Sequence, residues 1–283
     1  MGEYLLAMSL RYPWVSRGCR WCFLLVLGTS VAGIFSPPLR SQEEEDQRRE
    51  LHLYLKGRYL FQKQCSTCHG MTGRGNGPWA AELKDKPRNF RTGVFKFRTT
   101  PFGMLPTEND LRRTIRSGIS GTAMPFFKDL SDEDVSALIV FIQSLSREWD
   151  KEEQRAESIP LPDTPSWFGD PKERAAHAKQ AGPVFLANCT VCHGQTGDGD
   201  GPGSKGLRDV WGHEIIPAKL SAEHHKSGDA PADLYRTIAT GLNGTPMVGY
   251  HGQLKEQEIW DLVALVLDLP VSEGGDPEAA SAE

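Results

Sequence analysis

The chain has 283 residues, 39% of them apolar and 24% charged, with a formal net charge of −5. That length exceeds one small domain and suits two of roughly 100–150 residues each. Residues 1–36 carry Arg11, Arg17 and Arg20 against Glu3, a sum of +2, so the remainder stands at −7 with no basic cluster, which argues against nucleic acid as a partner and fits docking on a basic protein surface.

At the N-terminus, Arg17 and Arg20 precede a mostly apolar run from Trp21 to Phe35, followed by Ser36-Pro37-Pro38. A charged start, an apolar stretch of roughly 7–15 residues and small residues after it describe a secretory signal peptide. Ser30-Val31-Ala32 supplies a small-x-small cleavage site before Gly33. Counting back to Trp14 gives a 22-residue segment that would instead serve as a membrane anchor, with Arg17 and Arg20 inside it. Residues 1–36 are therefore assigned as signal peptide or membrane anchor. Either delivers the rest of the chain to the periplasmic side, soluble or anchored.

Six cysteines fall in three pairs with two residues between: Cys19/Cys22, Cys65/Cys68 and Cys189/Cys192. Disulfide frameworks suit much shorter secreted chains, so the regular spacing asks for another explanation. Phe23, not His, follows the first pair, and no role is assigned to it.

From here a domain is expected over 48–147. A short helix, Arg58 to Gln64, runs into Cys65-Ser66-Thr67-Cys68-His69-Gly70. The Gly- and Pro-rich stretch Gly70 to Pro78 cannot be a regular element. A helix follows over Glu108 to Arg116. The last helix shows Val135, Leu138, Ile139, Ile142 and Leu145 on one face, with Ser131-Asp132-Glu133-Asp134 as N-cap and acidic first turn.

Residues 148–171, charged and then Pro-rich, read as a linker. A second domain over 172–270 repeats the first. Cys189-Thr190-Val191-Cys192-His193-Gly194 recurs at an offset of 124, with Phe185, Gly197, Gly199, Gly201 and Pro202 answering Phe61, Gly73, Gly75, Gly77 and Pro78. Leu111, Thr114, Ile115, Gly118, Gly121, Thr122 and Met124 recur at 123 as Leu234, Thr237, Ile238, Gly241, Gly244, Thr245 and Met247. Val184–Asn188 and Pro231–Thr240 are the matching helices. The last helix realigns at 124, with Ile259, Leu262, Val263, Val266 and Leu269 on its face. The chain is a duplicated helical domain, closed by an acidic, disordered tail over 271–283.

Cys-x-x-Cys-His reads as covalent attachment of haem c. Both thiols add to the haem vinyl groups from one helical turn, and the following His lies under the iron. Structural zinc wants four ligands, and each copy holds two Cys and one His at close range. A redox dithiol belongs beside a βαβ pattern, which is missing here. Two covalently bound haem c groups are expected, with Cys65, Cys68 and His69 on one, and Cys189, Cys192 and His193 on the other.

These residues resemble class I c-type cytochromes in a two-domain, dihaem form, over Leu51 to Leu145 and Ala178 to Leu269. The resemblance implies an all-α fold of two tandem cytochrome c-like domains, and a Met on the other iron face. By position these are Met124, in Gly121-Thr122-Ala123-Met124-Pro125, and Met247, in Gly244-Thr245-Pro246-Met247-Val248. They stand 55 and 54 residues beyond their histidines. Met104 has no counterpart in the second copy, and Met71 is too close to His69 to reach the opposite face. The iron ligands are thus His69/Met124 and His193/Met247. The family's Pro carbonyl that holds the His ring is assigned to Pro78 and Pro202. Arg88 and Arg98 are candidates for haem propionates, with a surface role as the default. His224 and His225 read as solvated surface, and the Phe95/Phe97 and Phe126/Phe127 pairs as pocket wall or core.

His/Met ligation raises the reduction potential and closes both iron faces, which suits electron transfer and opposes substrate binding. The expected function is a dihaem electron carrier without catalytic residues. Its partners would be redox proteins: a respiratory complex, a terminal oxidase or a periplasmic oxidoreductase. One rival is a haem-bearing subunit of a membrane oxidase, similar to the dihaem subunit of cbb3-type oxidases, which needs the N-terminal anchor. The other is a dihaem enzyme of peroxidase or thiosulfate dehydrogenase type, which needs one open iron face. Each copy is short enough to bury little core unaided, so haem is expected to complete it.

Overall fold

The computed structural model describes residues 39–270. The signal or anchor segment, the Cys19/Cys22 pair and the acidic tail lie outside the described residues. Within them no helix is long and apolar enough to cross a membrane. Of the described residues, 39–51 belong to one unit, and both duplicated lobes fall in the unit from His52 onward.

The fold is all-α. In the first lobe α1 (Leu39–Gln64) leads into the single turn α2 (Ser66–His69), then α3 (Glu108–Ser117) and α4 (Asp132–Ser144). In the second, α5 (Pro171–Gln180) and α6 (Gly182–Asn188) lead into α7 (Thr190–His193), followed by α8 (Pro231–Thr240) and α9 (Glu256–Asp268). The helix before the first motif is much longer than the seven residues expected, because its polar turns continue without a breaker. Its counterpart is split into α5 and α6 around Ala181, where Pro183 removes an amide donor.

Helix starts follow their caps. Thr107 and Asp110 form a reciprocal capping box on α3, as do Ser131 and Asp134 on α4. Asp170 accepts from the amides of Lys172 and Glu173, with Pro171 in the first turn of α5. The apolar faces read from the sequence are the cores. Phe61, Val135, Leu138 and Ile139 are essentially inaccessible in the first lobe, as are Ile259, Trp260, Leu262 and Val263 in the second. Burial of each such side chain stabilises by about 1.5–3 kcal/mol. Where α1 crosses α4, a Cβ on Gly57 would lie 1.9 Å from the Ala137 carbonyl oxygen, so only glycine permits this approach.

Lys56 of α1 bridges Glu133 at 3.0 Å and Asp134 at 2.9 Å, at the start of α4. The Lys56 ammonium, then Ser131, holds the Asp134 carboxyl down at about 2. A depressed carboxyl stabilises the fold above its ordinary pKa of 3.8 and loses that contribution as pH falls toward 2. Urea midpoints measured across that window should therefore fall less steeply for Lys56→Met than for the natural chain. Parallel slopes would remove the bridge from the account.

The joining segment is packed rather than free. The Ile159 amide donates to the Thr99 carbonyl at 2.8 Å and that of Leu105 to the Gln154 carbonyl at 2.9 Å. Ile159 and Phe168 are buried in the second lobe's core cluster. The lobes also touch directly. Arg98, fully buried, donates to the Thr240 carbonyl at 2.7 Å and the Gly241 carbonyl at 3.1 Å. Arg98 is thus a clamp between lobes and not a surface side chain, because two orphan carbonyls at the end of α8 need donors.

Candidate haem-binding sites

Cys65 ends the approach of α1, and Cys68 and His69 follow on the one turn of α2. In the second lobe Cys189, Cys192 and His193 take the same places around α7. Behind each turn the loop folds back tightly. The Gly77 amide donates to the Cys68 carbonyl at 3.0 Å, and the Gly201 amide to the Cys192 carbonyl at 3.2 Å. A Cβ at either glycine would meet the carbonyl oxygen of Thr67 or Thr190 at 2.2 or 2.4 Å. Close backbone approach is therefore the reason for glycine at both positions.

His69 Nδ1 donates to the Arg88 carbonyl at 3.0 Å, and His193 Nδ1 to the Ala218 carbonyl at 2.9 Å. These bonds replace the expected ones to Pro78 and Pro202. The Gly77–Trp79 turn lies behind the motif, where the Trp79 amide donates to the Thr67 carbonyl at 3.1 Å, so the returning arm of the loop meets the ring instead. Burial holds both imidazoles below their usual pKa, against the pull of the accepting carbonyl. A neutral ring fixed through Nδ1–H presents the lone pair of Nε2, the arrangement a metal-ligating His needs.

One cavity of about 580 Å³ holds His69, Cys65, Cys68 and Met124 in its walls. Phe61, Phe90, Phe95, Leu111, Ile115 and Leu138 are part of its apolar lining. Phe90 stacks on the His69 ring, with centroids 4.5 Å apart. Phe97 and Phe127 also line it, whereas Phe126 is 61% exposed, with Lys128 over its ring. Size, apolar walls and a few convergent donors fit a large planar cofactor. Burial, then the neighbouring Cys, pushes the Cys65 thiol up to about 12 and the Cys189 thiol up to about 11, so neither is a ready thiolate. Among the described residues no group of three His, Cys, Asp or Glu could hold a metal ion.

The two methionine loops share one hydrogen-bond pattern. The Met124 amide donates to Thr122 Oγ1 at 3.1 Å, Thr122 Oγ1 to the Ile119 carbonyl at 2.8 Å, and the Ile119 amide to the Met124 carbonyl at 3.1 Å. Met247, Thr245 and Leu242 repeat these bonds at 3.2, 2.8 and 2.9 Å. Met71 is 58% exposed, and the Met104 carbonyl is engaged by Asn243 Nδ2 at 3.0 Å. His224 and His225 both pair with Asp229, at 2.9 and 3.2 Å. His224 lies on the surface as expected, while the His225 side chain is only 9% exposed and reaches the Leu220 carbonyl.

Sequence reasoning missed what the second lobe adds to the first cavity. Asp209, Trp211, His213 and Lys226 line it too. The Arg88 guanidinium lies 3.9 Å from the centre of the Trp211 ring, and burial pulls it down to about 10 against the pull of Asp209. Arg88 is thus half-buried against the second lobe rather than free at the surface. No repeat counterpart flagged these residues, since they pair across the lobes.

A helical turn bearing Cys-x-x-Cys-His, a ring tied through Nδ1 to a backbone carbonyl and a Thr-braced Met loop, twice over, define a tandem class I cytochrome c. Residues 53–142 match the family described as cytochrome C oxidase, cbb3-type, subunit III, and residues 179–270 match cytochrome c. A chain of the Kuenenia stuttgartiensis reducing HAO-like protein complex superposes with a TM-score of 0.70 at 33% identity, covering 76% of this chain and 96% of that one. The chain belongs to the c-type cytochromes and binds haem c. It is also similar to a thiosulfate dehydrogenase of Psychrobacter arcticus, 24% identical over 74% of this chain and 56% of that protein. The cbb3-type cytochrome c oxidase subunit FixP of Azorhizobium caulinodans is 26% identical over 64% of this chain and 53% of the relative. The chain thus spans a little over half the length of these curated relatives.

Proposed function

We propose that the protein is a dihaem electron carrier with one covalently attached haem c per lobe. Cys65 and Cys68 hold the first, with His69 and Met124 as iron ligands. Cys189, Cys192, His193 and Met247 do the same in the second. The observation that carries this reading is the duplicated ligand scaffold, in which each His ring and each Met loop is fixed by the same set of backbone bonds. When bound, haem supplies a one-electron couple. The residues of the chain would tune its potential through the His and Met ligands and through burial. His69 and His193 would each bind an iron through Nε2, and Met124 and Met247 would supply the second ligand and so exclude water and substrate.

Donor and acceptor are redox proteins on the periplasmic side: a respiratory complex, a terminal oxidase or a periplasmic oxidoreductase. The match of the first lobe to an oxidase subunit family supports a terminal oxidase among these. The similarity to a thiosulfate dehydrogenase supports a second, enzymatic reading, which requires one open iron face. An optical spectrum of the purified protein, oxidised, reduced and then exposed to carbon monoxide, separates the two. Two haem c per chain with methionine-to-ferric-iron charge transfer and no response to carbon monoxide are expected of the carrier. Prompt carbon monoxide binding at one haem would overturn it in favour of the enzyme.

A further inference from the structure

The Met124 and Met247 loops share their internal bonds but not their surroundings. Among the described residues no hydrogen bond joins the Met124 loop to the second lobe. The Met247 loop, by contrast, is built against the first lobe. Arg98 caps the Thr240 and Gly241 carbonyls at its start. Asn243 Oδ1 accepts from the Gly103 amide at 2.7 Å, and Asn243 Nδ2 donates to the Met104 carbonyl at 3.0 Å. At Gly244 a Cβ would stand 3.0 Å from both Trp211 Cη2 and Val94 Cγ1, so the loop backbone rests directly on the Trp211 ring.

Trp211 is itself held from both lobes. Its Nε1–H donates to Thr92 Oγ1 at 3.3 Å, and its amide donates to Asp209 Oδ1 at 3.0 Å. The adjoining Val210 amide donates to the Gly244 carbonyl at 3.0 Å. Its ring faces the Arg88 guanidinium, and the carbonyl of that same Arg88 accepts from His69. A connected path therefore runs from His69 through Arg88 and Trp211 to Gly244 and on, within one loop, to Met247.

We propose that the first lobe positions the Met247 loop of the second, with Trp211 and Asn243 as positioning residues and Arg88 as the link to His69. The ligand state of the second iron then depends on how the lobes dock, and the two sites do not titrate independently of that joint. This rests on the reading that Met247 ligates the second iron. Trp211 also lines the first cavity and Asn243 does not, but both reach Met247 only through its loop.

The full-length holoprotein tests this in four substitutions. Met247→Ala marks the second haem and should abolish about half of the charge-transfer intensity. If it abolishes none, the ligand assignment fails, and this inference with it. Trp211→Ala should weaken methionine ligation of the ferrous relative to the ferric iron at that same haem by tenfold or more, a fall of about 59 mV in its midpoint for one electron, with Met124 charge transfer retained. Trp211→Phe keeps a ring on Arg88 and Gly244 and should restore most of both signals. Should Trp211→Ala not accumulate, Asn243→Ala reads the same loop through its other anchor. If Met247→Ala removes its band while Trp211→Ala and Asn243→Ala leave both midpoint and band unchanged, the carrier reading stands and the positioning role is overturned.

Discussion

Asp110→Ala should destabilise the first lobe by about 3 kcal/mol or more. The carboxylate is completely buried. Its Oδ2 accepts from the Thr99 amide at 2.9 Å, Thr99 Oγ1 at 3.0 Å, the Thr107 amide at 2.9 Å and Thr107 Oγ1 at 2.9 Å. Oδ1 accepts from Arg113 Nη2 at 2.9 Å. Truncation strands two backbone N–H groups without water, and each such orphan costs about 1–3 kcal/mol. The capping box of α3 goes with it. Arg113 keeps a third of its side chain exposed and can turn to solvent, so the ionic part of the loss is the smaller one. Asp110→Asn should therefore recover most of the stability, since one oxygen suffices for the threonine donors. Urea unfolding of the three proteins decides. An alanine variant within 0.5 kcal/mol of the natural chain would contradict the burial argument, and an asparagine variant as weak as alanine would shift the weight to charge. Because the Thr99 carbonyl also holds Ile159, the loss should spread into the joining segment.

The sequence carried the duplication, the haem-attachment motifs and the paired methionines, because each rests on local spacing repeated at one offset. The face Val135, Leu138, Ile139 and Ile142 was legible for the same reason, as a period along one helix. The carbonyl partners of the histidines were not. Pro87-Arg88 and Pro217-Ala218 stand 130 apart, outside the offsets of 124 and 123 that align the rest, since the loops differ in length on both sides. Pro78 and Pro202 kept the register but turn behind the motif. Arg98, Trp211 and Asn243 bind across the lobes, more than a hundred residues away, and no periodicity encodes such a pairing. Ile159, one of a few scattered apolar residues in a charged and Pro-rich stretch, gave no sign that the linker is packed.

Met124→Ala should lower the midpoint of the first haem by on the order of 0.1 V or more, a modest part of the roughly 0.8 V that axial ligands span. Of the first-lobe methionines, Met124 alone lines the cavity that holds His69, and its loop carries no bond to the second lobe among the described residues. The effect should therefore stay local. Half of the charge-transfer intensity should vanish, carbon monoxide should bind one haem of the reduced protein, and the second midpoint should hold. Met104→Leu and Met71→Leu serve as controls and should leave the first midpoint in place, since the one lies toward Asn243 and the other in solvent. Stability should change less than potential, because Met124 is only half-buried on a loop braced by Thr122 and Ile119. A Met124→Ala protein that keeps its band and excludes carbon monoxide would hand the sixth position to another side chain. A variant that opens both haems at once would instead mean that the lobes share ligand state in both directions, through the Arg88–Trp211 joint that the second site already leans on.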